Sequence, residues 1–143
     1  MPVLSVDQIT TSPRATTKDE AIQEAADMLV AAGAVTPDYA EAMRERERSV
    51  STYMGNLLAI PHGTNESKDA ILDSALSVAR YETPLDWDGN PVRFVVGIAG
   101  KDGGHLEILS KIAVVFADED EVAKLEAAPD AAAILELLGD VNE

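Results

Sequence analysis

Val92-Arg93-Phe94-Val95-Val96-Gly97-Ile98-Ala99 is the strongest strand signal in the chain. Its near-continuous apolarity implies a strand buried on both faces, which requires helices above and below the sheet that holds it. Upstream, residues 75–81 alternate weakly, as a strand does, and residues 83–91 read as a loop rich in Pro, Asp and Gly that carries the only tryptophan, Trp87. Leu57-Leu58-Ala59-Ile60, ended by Pro61, is a second short apolar run and reads as another buried strand. Residues 64–72 read as a short helix capped by Thr64 or Asn65.

Helical patterns fill both ends. Thr17-Lys18-Asp19-Glu20 forms a capping box, followed by Ile22, Ala25, Ala26, Leu29 and Val30 at spacings of three and four. Gly33 supplies a left-handed stop, and Thr36-Pro37-Asp38 restarts a helix with Pro37 at its first position. After His105, Ile108, Leu109, Ile112, Ala113 and Phe116 keep helical spacing. An acid-rich first turn at Asp118-Glu119-Asp120-Glu121 and a cap at Asp130 open two more helices. Strands interleaved with helices predict an α/β sandwich, one domain over residues 1–143, with a central mixed, mostly parallel sheet flanked by helices.

Bulk properties narrow the function. The 143 residues carry 26 acidic against 11 basic side chains, a formal charge of −15, which disfavours nucleic acid because phosphates need Lys and Arg. There is no cysteine, hence no disulfide framework and no thiolate metal site. No apolar stretch approaches the ~20 residues of a membrane span, and Met1 to Asp7 lacks the pattern of a secretory signal. A soluble cytoplasmic protein is expected.

The chain has two histidines, both beside glycine and both at strand-to-helix junctions: His62 in Ile60-Pro61-His62-Gly63-Thr64 and His105 in Gly103-Gly104-His105-Leu106. Neutral imidazole is both a nucleophile and a base near pH 7. Helix N-termini after each turn would offer amides to an anion. If the two strands are neighbours, both imidazoles converge on a spot suited to a phosphoryl group. Two histidines are an incomplete zinc set, which Asp102 or Glu66 could complete. Taken singly, His62 fits an ordinary loop histidine held by backbone better than a catalytic one, and His105 fits a helix-capping or surface role better than catalysis. The pair with its glycines is what raises the functional reading.

Arg46-Glu47, then Ser51-Thr52-Tyr53-Met54-Gly55-Asn56, then Ala59-Ile60-Pro61-His62-Gly63-Thr64 and Lys68-Asp69 form a long ordered block. With Tyr39-Ala40-Glu41-Ala42-Met43 before it and Gly104-His105-Leu106 after, it resembles enzyme IIA of the mannitol/fructose class in the phosphoenolpyruvate-dependent sugar phosphotransferase system. The resemblance spans residues 17–138, and the His-Gly-Thr ending is closer to the mannitol type. It implies that His62 accepts a phosphoryl group from the phosphohistidine of the carrier HPr and passes it to a cysteine of a separate enzyme IIB. His105 then assists near the phosphate, Arg46 stabilises its charge, and Gly63 and Thr64 contact it. No metal or other cofactor is required. Association with the membrane would be indirect, through the IIBC transporter. The alternative that the resemblance leaves open is a regulatory, nitrogen-type IIA-like protein that is phosphorylated on His62 and controls a partner.

Overall fold

A computed structural model describes residues 3–64, 69–101 and 104–142. Among these, the first half contains β1 (Ile9–Thr10), α1 (Lys18–Ala31), α2 (Tyr39–Ser49), β2 (Tyr53–Gly55) and β3 (Leu58–Ala59). The second half contains β4 (Ala75–Trp87), β5 (Asn90–Ala99), α3 (His105–Phe116), α4 (Glu119–Ala127) and α5 (Ala131–Leu137). The strands form one sheet in the order β1-β4-β5-β3-β2.

β5, the strand quoted first, lies at the sheet's centre and is buried on both faces as its composition requires. Val92, Val95 and Ala99 join the core under α1 and α2, while Phe94, Val96 and Ile98 join the core under α3, α4 and α5. Each fully buried aliphatic or phenyl side chain stabilises the fold by about 1.5–3 kcal/mol. Gly97 faces α1: a Cβ there would stand 2.6 Å from Ser77 Oγ and 3.0 Å from Ala25 Cβ. The missing side chain lets α1 seat on the sheet, where Ser77 Oγ donates to the Ala25 carbonyl at 3.1 Å.

The α/β class and the mixed sheet flanked by helices are as expected. The parallel share is smaller than expected. β1 with β4 and β3 with β5 are parallel, but β2 with β3 and the long β4–β5 ladder are antiparallel. The cause is the segment 83–91, which is not a loop. β4 runs on to Trp87 and returns through Asp88 and Gly89, at φ 55° and 93°. Positive φ at both central residues makes a two-residue turn whose twist matches a hairpin, and Asp-Gly is suited to it. Pro84, which cannot donate to a ladder, falls where the register shifts between Arg80 and Leu85.

Local helix signals act as predicted. Thr17 Oγ1 accepts from the Glu20 amide at 3.2 Å, Gly33 stops the first helical segment at φ 76°, and Asp118 and Asp130 cap α4 and α5. Pro37 instead lies in the turn before α2, where Tyr39 and Ala40 amides bond to the Thr36 and Pro37 carbonyls. The expected helix over 64–72 is corrected in part. Residues 65–68 lie outside the described residues, and Ile71 pairs antiparallel with Val35. Its flanks explain this: the chain after Gly33 leaves polar backbone that Ala70 and Leu72 satisfy at 2.8 and 2.7 Å.

Candidate functional site

The two strands whose adjacency the site needs are neighbours. β3 and β5 pair in parallel, Leu58 opposite Phe94 and Ala59 opposite Val95. Beyond the end of β3 the chain keeps the same register, and His62 forms an isolated parallel bridge with Ile98. β5 ends at Ala99, and α3 begins at His105. Both histidine backbones therefore stand at the carboxyl ends of neighbouring parallel strands, where α/β sheets collect functional groups. The side chain of His105 lies outside the described part of the structure, as do Glu66, Lys68 and Asp102.

His62 is half-buried, and its Nδ1 lies 2.9 Å from the Ile60 carbonyl oxygen. A carbonyl only accepts, so Nδ1 carries the proton, and in the neutral ring the lone pair sits on Nε2. The turn itself is pinned. Ile98 N–H donates to the Pro61 carbonyl at 3.0 Å, and Gly63 N–H donates to the Tyr39 hydroxyl at 2.9 Å. That hydroxyl donates in turn to the Ile98 carbonyl at 2.7 Å. Burial pushes the Tyr39 phenol up to about 12, so it is a neutral donor at pH 7. The amide of Gly63, the residue expected beside the phosphate, is engaged by Tyr39. Thr64 follows directly and is half-buried.

Tyr39 was missed as a site residue. In the sequence it is simply an aromatic at a helix start, and nothing local marks a partner at Gly63 or Ile98.

Arg46 lies on α2 seven residues after Tyr39, on the same face and about 10 Å along the axis. α2 carries two further arginines, both ion-paired: Arg44 with Asp19 at 3.2 Å and Arg48 with Glu41 at 3.1 Å. Arg46 instead donates to the Val50 carbonyl at 2.8 Å and has no carboxylate partner among the described residues. A guanidinium not neutralised by a carboxylate keeps its charge for an anion.

Its neighbour Glu47 has a different task. It is 6% exposed and accepts from Thr52 N at 3.1 Å, Thr52 Oγ1 at 2.6 Å and Trp87 Nε1 at 2.8 Å, with Lys18 Nζ at 3.1 Å. Burial alone would raise its carboxyl, but the donors from Thr52, Lys18 and Trp87 outweigh it and hold the group below the usual carboxylate range. Glu47 thus ties α2 to α1, to Thr52 and to the hairpin.

α3 starts differently from α1, α4 and α5: its N-cap, Gly104, makes no side-chain capping bond. Gly104 N–H donates to Lys101 O at 3.0 Å, and Lys101 N–H donates to Ser74 Oγ at 2.9 Å. A Cβ at Gly104 would stand 3.1 Å from that Lys101 oxygen, so glycine suits the turn. First-turn amides without a side-chain cap, at the positive end of the helix dipole, suit a phosphoryl oxygen. Met54 on β2 and Leu106 in the first turn of α3 are exposed, at 50% and 65%, whereas Leu58 on β3 is buried.

A cavity of about 500 Å³ lies elsewhere, between the start of α1 and the second half of α2, lined by Thr17, Lys18, Arg44, Glu47 and Arg48. Its cations are all ion-paired, so it does not compete as an anion site.

Residues 2–141 match the family described as phosphoenolpyruvate-dependent sugar phosphotransferase system, EIIA 2. The mannitol-specific phosphotransferase enzyme IIA component of Halalkalibacterium halodurans is 48% identical over 141 residues, covering 99% of this chain and 97% of that protein. The crystal structure of IIA mannitol from Escherichia coli superposes with a TM-score of 0.87 at 33% identity, covering 94% of this chain and 98% of that one. IIAMTL in complex with phosphorylated IIBMTL from Escherichia coli gives a TM-score of 0.89 at 31% identity, covering 96% and 97%.

Proposed function

The chain belongs to the phosphoenolpyruvate-dependent sugar phosphotransferase EIIA 2 family, and from that premise we propose that it is a phosphoryl carrier of the mannitol type, with His62 as the acceptor. The span 1–143 serves as one IIA domain. It works in the cytoplasm and meets the membrane only through the transporter it feeds.

The observation that carries this reading is the 2.9 Å contact of His62 Nδ1 with the Ile60 carbonyl. It puts the ring proton on Nδ1 and the nucleophilic lone pair on Nε2, and it stabilises the positive charge that grows on the ring as a P–N bond forms. In the first step Nε2 attacks the phosphorus of phosphohistidine on HPr; the new P–N bond forms as the donor's P–N bond breaks, and the donor imidazole leaves with the electron pair. In the second, a cysteine thiolate of IIB attacks the same phosphorus. A P–S bond then forms and His62 recovers its lone pair.

The protein's contribution is alignment and charge stabilisation of the transferring oxygens. Arg46, unpaired with any carboxylate among the described residues, supplies a guanidinium; the first turn of α3 supplies amides; Thr64 supplies a hydroxyl and His105 an assisting imidazole. With a net charge of −15, association with a basic carrier is steered electrostatically, and exposed Met54 and Leu106 add apolar contact.

The test is a chase. The chain, phosphorylated through enzyme I and HPr and then purified, should lose its phosphoryl group to a mannitol-type IIB within seconds, and not to IIB lacking its cysteine. Retention of the group by the chain in the presence of active IIB would turn the reading toward a regulatory IIA-like protein.

A further inference from the structure

We propose that Tyr39 is a positioning residue for phosphoryl transfer: its hydroxyl clamps the turn around His62 to the end of β5 and so aligns Nε2 with the incoming phosphorus. The inference rests on the reading of His62 as the acceptor and adds a residue that never touches the phosphoryl group.

The geometry is a closed circuit of hydrogen bonds. His62 is flanked by two peptide groups. The preceding one is held through its carbonyl, Pro61 O, by Ile98 N–H at 3.0 Å. The following one is held through its amide, Gly63 N–H, by Tyr39 Oη at 2.9 Å. Tyr39 Oη donates to Ile98 O at 2.7 Å, so both peptide groups of the turn are tied to the same residue of β5. With both flanking peptides fixed and Nδ1 held by Ile60 O, little freedom is left to the ring. A hydroxyl suits the middle of this circuit because it donates once and accepts as well.

Tyr39 is the first residue of α2 and is 2% exposed, so it cannot meet a carrier protein. Its removal should therefore lower the rate of transfer and leave recognition alone. Alignment matters here because a displacement of about 1 Å in a reacting group can cost about a hundredfold in rate. Tyr39→Phe keeps the ring and its packing and deletes only the clamp.

The experiment is single-turnover transfer from phosphorylated HPr to the chain, with Gly63 amide exchange followed in parallel. Tyr39→Phe should lower the saturating single-turnover rate at least tenfold with the half-saturating concentration of phosphorylated HPr within twofold, and speed Gly63 exchange at least tenfold while β4–β5 ladder amides are unchanged. Ile134→Ala, a buried change on α5 beneath the opposite face of the sheet, controls for general destabilisation and should transfer at the wild-type rate. A wild-type rate in Tyr39→Phe, or an equal loss in Ile134→Ala, would overturn the clamp. So would fast Gly63 exchange in the wild-type chain, a measurement that needs no variant. A wild-type chain that takes no phosphoryl group from charged HPr refutes the carrier reading itself, and this shows before any variant is made.

Discussion

Glu47→Ala should be among the most damaging single changes on α2, although it sits in the run Arg44-Glu45-Arg46-Glu47-Arg48 that looks like a solvated charged face. The carboxylate serves two buried neutral donors with no exit to water, the indole N–H of Trp87 (0% exposed) and the backbone N–H of Thr52 (4% exposed). Each orphaned donor costs about 1–3 kcal/mol. The Thr52 hydroxyl can rotate, and partly exposed Lys18 keeps Asp88 at 2.6 Å, so these add little. The expected loss is about 2–6 kcal/mol, a large part of the 5–15 kcal/mol typical of a domain. Urea unfolding at pH 7 reads it directly, since Trp87 is the only tryptophan and lies in the affected cluster. With a urea slope of about 1–3 kcal/mol per molar, the midpoint should fall by about 2 M. A loss below about 1 kcal/mol would refute the reasoning, because it would mean that water or a neighbour satisfies both donors.

The same carboxylate sets an acid limit. Its folded pKa lies below the ordinary 4.5, so its stabilising contribution is complete above pH 4.5 and is lost as pH falls through the folded value; Glu47→Gln should flatten that part of the stability curve. Arg46→Ala should change stability by less than about 1 kcal/mol, since the guanidinium bonds only the Val50 carbonyl, yet slow transfer by about 10²-fold; an unchanged single-turnover rate would remove Arg46 from the site. Gly97→Ala should cost about 1–3 kcal/mol by pressing on Ser77 and Ala25, seen as a lower melting temperature, and a neutral result would show that α1 does not sit tightly on β5.

What was legible in the chain was local. The apolar run of β5, the cap at Thr17, the stop at Gly33 and the caps at Asp118 and Asp130 depend on neighbours a few residues away, and each appears where its pattern lies. His62 was legible as a turn residue, and the adjacency of its strand to β5 was the assumption that the structure bears out. What was not legible depended on contacts distant in sequence. Tyr39 meets Ile98 across 59 positions, and Glu47 meets Trp87 across 40. The hairpin at Trp87 is the exception: Asp88-Gly89 is a recognised turn pair, hidden because the Pro and Asp around it read as loop.

The most direct measurement is intact-mass counting of phosphoryl groups after incubation with phosphoenolpyruvate, enzyme I and HPr. The wild-type chain should carry one acid-labile group, His62→Ala none, and His105→Ala one, acquired more slowly. A group that persists in His62→Ala would contradict the assignment of His62 as the phosphoryl acceptor.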